Sequence, residues 1–83
     1  MNRIEALSLV IREKRLQREL SQEKLAELAK LHRNSVGLVE RNLTTLAVDS
    51  LLAIADALEV PASVLLAKAE ELSAKAITEA DSK

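Results

Sequence analysis

An all-α fold of five helices is what this sequence predicts, and three observations carry the prediction. Apolar residues recur at i, i+3 and i+4 along most of the chain, and no segment alternates with the period of two that a strand requires. Helix breakers are scarce: one Gly, at 37, and one Pro, at 61. Start and stop signals cut the periodic pattern into short pieces.

Helix one is expected from about Arg3 to Arg18, with Asn2 as N-cap and Leu7, Val10 and Ile11 facing inward. Ser21 is a favourable N-cap for helix two, and Glu23 sits in its first turn, where the helix dipole favours an acid. That helix, Gln22 to Ala29, should bury Leu25, Ala26, Leu28 and Ala29. After a tight bend at Lys30–His32, helix three runs from Arg33 to Arg41. It buries Val36 and Val39 and exposes Arg33, Asn34, Gly37 and Leu38. Asn42 suits the left-handed position that ends a helix. Helix four, Val48 to Leu58, buries Leu51, Ile54, Ala55 and Leu58. Val60-Pro61 punctuates the chain, because Pro is tolerated at a helix start. Helix five then runs from Ala62 to about Ala80, with Leu65, Leu66, Ala69, Leu72, Ala76 and Ile77 striped along it.

Eighty-three residues make one domain near the small end of what folds unaided. There is no Cys to staple it and no Phe, Tyr or Trp to fill it. A core built from Leu, Ile, Val and Ala alone in so short a chain predicts a second subunit. One His without Cys argues against a metal site, and no cofactor or small-molecule effector is implied. No spacing resembles a catalytic triad or carboxylate pair, so an enzyme is not expected. Charges interrupt every apolar run, which predicts a soluble chain without a membrane partner, and the lack of Cys fits the cytoplasm.

The net charge of −1 hides an asymmetry. Residues 1–42 carry nine Lys/Arg against six Glu, whereas residues 43–83 carry three Lys against seven acids. The basic half permits an anionic partner. Its Arg12–Arg18 cluster reads as a solvated helix face. Short helix, tight bend and short helix over Ser21–Asn42 is the arrangement with which a helix enters a major groove. Arg33 suits the guanine O6/N7 edge and Asn34 the adenine N6/N7 edge, while Ser35 and Gly37 keep the inserted face slim.

"LSQEKLAELAKLHRNSVGLVERN" resembles the Cro/repressor-like (XRE-type) helix-turn-helix family, through Leu20, Ser21, Gln22, Glu23, Leu25, Ala26, Arg33, Val36, Val39, Glu40 and Arg41. The likeness continues through "SLLAIADALEVPASVLL" and covers about residues 7–66. It implies a compact five-helix lambda-repressor-like domain over residues 1–66, with the helix-turn-helix at 21–42. The extended C-terminal helix, 62–80, outruns the core it could cover, and its apolar stripe predicts dimerisation through Leu65, Leu66, Ala69, Leu72 and Ala76. In size and pattern the chain is most similar to controller proteins of restriction–modification systems. Cro/CI-like phage repressors and antitoxins of the same fold remain alternatives. The resemblance implies a homodimeric transcriptional regulator on double-stranded DNA with a partly palindromic operator. Gln22 and Arg41 would meet phosphates, and Arg33, Asn34, Ser35, Gly37 and Leu38 would face bases. Glu40 would be structural, paired with a basic residue of helix one such as Arg15. The alternative is an antitoxin whose C-terminal helix binds a toxin. Lys30 replaces the family's small turn residue and His32 its usual capping residue.

Overall fold

A computed structural model describes the backbone over residues 1–81 and the side chains over residues 1–75. Five helices follow one another: α1 (Arg3–Gln17), α2 (Gln22–Leu28), α3 (Ser35–Glu40), α4 (Val48–Leu58) and α5 (Ala62–Asp81). No strand occurs among the described residues. Two starts are capped as the sequence predicts. Asn2 Oδ1 accepts from the Glu5 N–H at 2.8 Å, and Ser21 Oγ accepts from the Lys24 N–H at 2.9 Å. Each bond satisfies a donor that the first helical turn leaves without a partner.

The first four helices end in one recurrent way. Glu19, Lys30, Asn42 and Glu59 all adopt the left-handed conformation, with φ between 56 and 59°. In each case the next residue is apolar, and its N–H reaches back five residues: Leu20 to the Arg15 carbonyl, Leu31 to Ala26, Leu43 to Leu38 and Val60 to Ala55. A second bond runs from the left-handed residue itself, to Leu16, Glu27, Val39 and Asp56 in turn. This pair of bonds is the Schellman closure. Only Asn42 is a residue type that favours it; the other three cost about 1–2 kcal/mol each in left-handed geometry. The closures turn the chain sharply at the end of each of these helices.

Ala6, Val10 and Ile11 of α1 meet Leu25, Ala26 and Ala29, then Val36 and Val39, then Leu51, Ile54, Ala55 and Leu58, in one aliphatic core. α5 lies chiefly against α1. Three expectations need correction here. Leu28 is exposed rather than buried, because α2 turns only its Leu25–Ala26 edge to the core. Leu65 and Ala69, expected between two copies, are 0% and 2% exposed within the chain itself. α1 covers them, so they offer no surface to a partner. The same packing extends to half-buried Leu72 and to Ser73, whose Oγ donates to the Met1 carbonyl at 3.2 Å. Leu66 is exposed, and the side chains of Ala76 and Ile77 lie outside the described residues.

Candidate DNA interface

α3 is shorter than its sequence reading, Ser35–Glu40 rather than 33–41, since Arg33 and Asn34 form the turn that leads into it. His32 takes over the capping work of the missing Ser or Asp. Its Nδ1 accepts from the Asn34 N–H at 3.2 Å, and its carbonyl accepts from the Ser35 N–H at 2.9 Å. Asn34 occupies the N-cap position, but its side chain makes no capping bond. Arg33 and Asn34 are both exposed, and among the described residues no ion pair or side-chain hydrogen bond engages their functional groups. The amide and the guanidinium at the front of α3 are therefore free to meet a ligand.

Behind this edge, Val36 and Val39 sink into the core, and Glu40 locks the far end. Arg15 Nε and Nη2 donate to the two Glu40 carboxylate oxygens at 2.7 and 3.0 Å. Arg15 Nη1 donates to the Leu20 carbonyl at 2.7 Å. The two side chains are 9% and 2% exposed, so this fork-to-fork pair is desolvated and geometrically specific. It ties α1, the α1–α2 turn and α3 together. Glu40 Oε1 also accepts from Gln22 Nε2 at 3.1 Å. A carboxylate only accepts, so the bond orients the Gln22 amide with its NH2 toward Glu40.

Gly37 departs from expectation. It is buried, not exposed, because the Gln22 side chain crosses over it. A Cβ built on Gly37 would stand 3.0 Å from Gln22 Oε1 and 3.3 Å from Arg41 Nη2. The glycine is a seat for these two side chains. Arg41 Nε donates to the Gly37 carbonyl at 3.0 Å, which directs its guanidinium alongside Gln22. Arg12, Arg15, Gln22, Glu40 and Arg41 line a recess of about 240 Å³. On the other flank of α3, half-buried Ser35 and exposed Leu38 border a smaller recess of about 130 Å³ with Thr44, Thr45 and Ser50. The sequence places Arg12 on a solvated helix face and gives no sign of Thr44 or Thr45. Their approach to α3 depends on how α1 and the 42–47 loop fold over it. No group of three or more His, Cys, Asp or Glu suited to a metal occurs among the described residues. No single described helix is long and apolar enough to cross a membrane.

A short helix with its back in an aliphatic core and a polar leading edge, braced by a second short helix, defines a helix-turn-helix DNA-binding protein. The chain belongs to the helix-turn-helix family, whose model matches residues 11–65, and it is a DNA-binding regulator of transcription. It is similar to the restriction–modification controller protein C.AhdI from Aeromonas hydrophila: 35% identity over 75% of this chain and 94% of that one, with a TM-score of 0.72. It is likewise similar to the controller protein C.Esp1396I, at 31% identity over 86% of this chain and 91% of that one, with a TM-score of 0.78. The clp gene regulator ClgR from Corynebacterium glutamicum shares the fold over 98% of this chain and 86% of its own, at 21% identity and a TM-score of 0.89. The fold is thus all-α, five-helix and lambda-repressor-like. No protein of curated function matches the chain by sequence.

Proposed function

We propose that the chain is a homodimeric, sequence-specific transcriptional regulator whose α3 enters the major groove at each half of a partly palindromic operator. One observation carries the reading. Among the described residues, the side chains of Arg33 and Asn34 stand exposed and unengaged at the front of a helix whose other end is held by the buried Arg15–Glu40 pair. A fixed helix with a free leading edge is what base readout needs, since each bidentate pair with a base is worth about 1–3 kcal/mol of discrimination only if its geometry is held. Arg33, Asn34, Ser35 and Leu38 read bases, while Gln22 and Arg41 meet backbone phosphates from beside Gly37. Gly37 contributes by leaving them room.

One α3 spans too few base pairs to select a site in a genome, so the regulator works as a pair. The described surface supports this: Val64 and Leu66 of α5 and Val48 and Leu52 of α4 are large apolar residues left exposed. With Leu65 and Ala69 already covered, Leu66 and the open side of Leu72 carry the α5 share of the seam. Such a pair places its two recognition helices about one helical turn, or 34–36 Å, apart. α5 also packs on α1 through Ser73 in the single chain, which favours this reading over a tail reserved for a toxin. The resemblance to controller proteins points the same way, toward an operator beside the regulator's own gene.

Selection of bound duplexes from a random DNA pool tests the proposal. Enrichment of a two-part site with its halves about one turn apart is the expected result. Equal binding to selected and random duplexes would remove sequence specificity from the reading.

A further inference from the structure

α1 is not part of the helix-turn-helix, yet one of its side chains reaches the same surface. Arg12 lies one turn before Arg15 on α1 and lines the recess floored by Arg15 and Glu40 and walled by Gln22 and Arg41. The charges there do not cancel. Glu40 is the recess's one carboxylate, and its oxygens already take two bonds from Arg15 and one from Gln22. Arg15 is spent on Glu40 and the Leu20 carbonyl. Arg12 is exposed and has no ion pair among the described residues. Among the described residues, the Arg41 guanidinium bonds only a backbone carbonyl, through its Nε. Glu13, next to Arg12 in sequence, lines a different recess, with Lys68, Glu71 and Lys75 of α5. Two uncompensated guanidiniums therefore overlook one concave site, with the Gln22 amide between them.

We propose that Arg12 is a DNA-backbone contact, binding a phosphate across the recess from Arg41 and extending the interface from the helix-turn-helix onto α1. The inference rests on the reading of α3 as the groove-entering helix, which brings a phosphodiester strand past Gln22. Like other phosphate contacts it positions the protein without reading sequence, and it adds to the counterions released on binding.

The test uses the full chain and two probes, the selected operator and a random-sequence duplex of about 30 base pairs, titrated across a range of salt concentrations. Removing one phosphate contact lowers the slope of log affinity against log salt by about 0.9. Arg12→Gln is expected to show that loss on both probes equally and to leave the selected motif unchanged, whereas Arg12→Lys restores the slope. Arg18→Gln removes the same charge just past the end of α1, but its guanidinium is occupied by Glu59; its slope should stay at the wild-type value. A slope for Arg12→Gln equal to that of Arg18→Gln, with the wild-type protein binding normally, overturns the proposal. So does a parallel loss in both variants, which would report net charge alone. Failure of the wild-type protein to bind either duplex overturns instead the reading on which the proposal rests.

Discussion

Replacing Arg15 by Met should damage this protein more than any surface change, because it strands a buried carboxylate. Glu40 is 2% exposed and would lose both of its guanidinium bonds, keeping only that from Gln22. The Leu20 carbonyl would also lose its 2.7 Å donor at the closure of α1. Breaking one side of a buried ion pair costs about 3–5 kcal/mol. A chain of this length holds roughly 4–12 kcal/mol in all, at about 0.05–0.15 kcal/mol per residue. The variant should therefore sit near the edge of folding, with a melting temperature lower by at least about 12 °C, taking about 4 °C per kcal/mol. Urea unfolding with an unchanged slope would give the loss directly. Arg15→Met combined with Glu40→Leu removes both charges, and apolar replacement of a buried pair is often neutral or stabilising; most of the stability should return. DNA affinity should not, since Gln22 then has no carboxylate to orient it over Gly37. A loss below about 1 kcal/mol in the single variant would show that the pair does not hold α3.

Arg33→Ala should weaken binding to the selected operator by about 1–3 kcal/mol and relax preference at one position of the site, as read by competition with single-base variants of it. Gly37→Ala should separate folding from binding. Stability should hold or rise by up to about 1 kcal/mol from helix propensity, because only the ends of Gln22 and Arg41 stand near the new methyl; affinity measured by fluorescence anisotropy should fall as those ends are pushed aside. Leu66 is 40% exposed, so Leu66→Glu should leave the fold intact and move a dimer toward monomer in sedimentation velocity; an unchanged dimer would place the seam away from α5. Lys30→Gly should stabilise by up to about 1 kcal/mol in thermal melts. It relieves about 1–2 kcal/mol of left-handed strain and gives back part of that in unfolded-chain entropy.

Whatever depended on neighbours within about a turn could be read from the residues alone. Asn2 and Ser21 cap helices because their side chains reach their own first turns. Asn42 takes the left-handed position that its short amide tolerates, and α4 runs from Val48 to Leu58 as its apolar spacing and the following Val60-Pro61 require. The pairing of Arg15 with Glu40 was legible too, through the family resemblance. Contacts between elements were another matter. Periodicity says that Leu65 and Ala69 share a face but not that α1 lies on it, and that Gly37 is on the outer side of α3 but not that Gln22 crosses it. Left-handed Glu19 and Glu59 carry no mark in their own chemistry; the turn is imposed by Leu20 and Val60, which close back on the core. Arg12 joins the recess of Gln22 and Arg41 only because the buried ion pair sets α1 beside α3. Spacing along a helix fixes which side chains face together, while the partner that meets them is chosen by packing across the chain, where separation in sequence carries no distance.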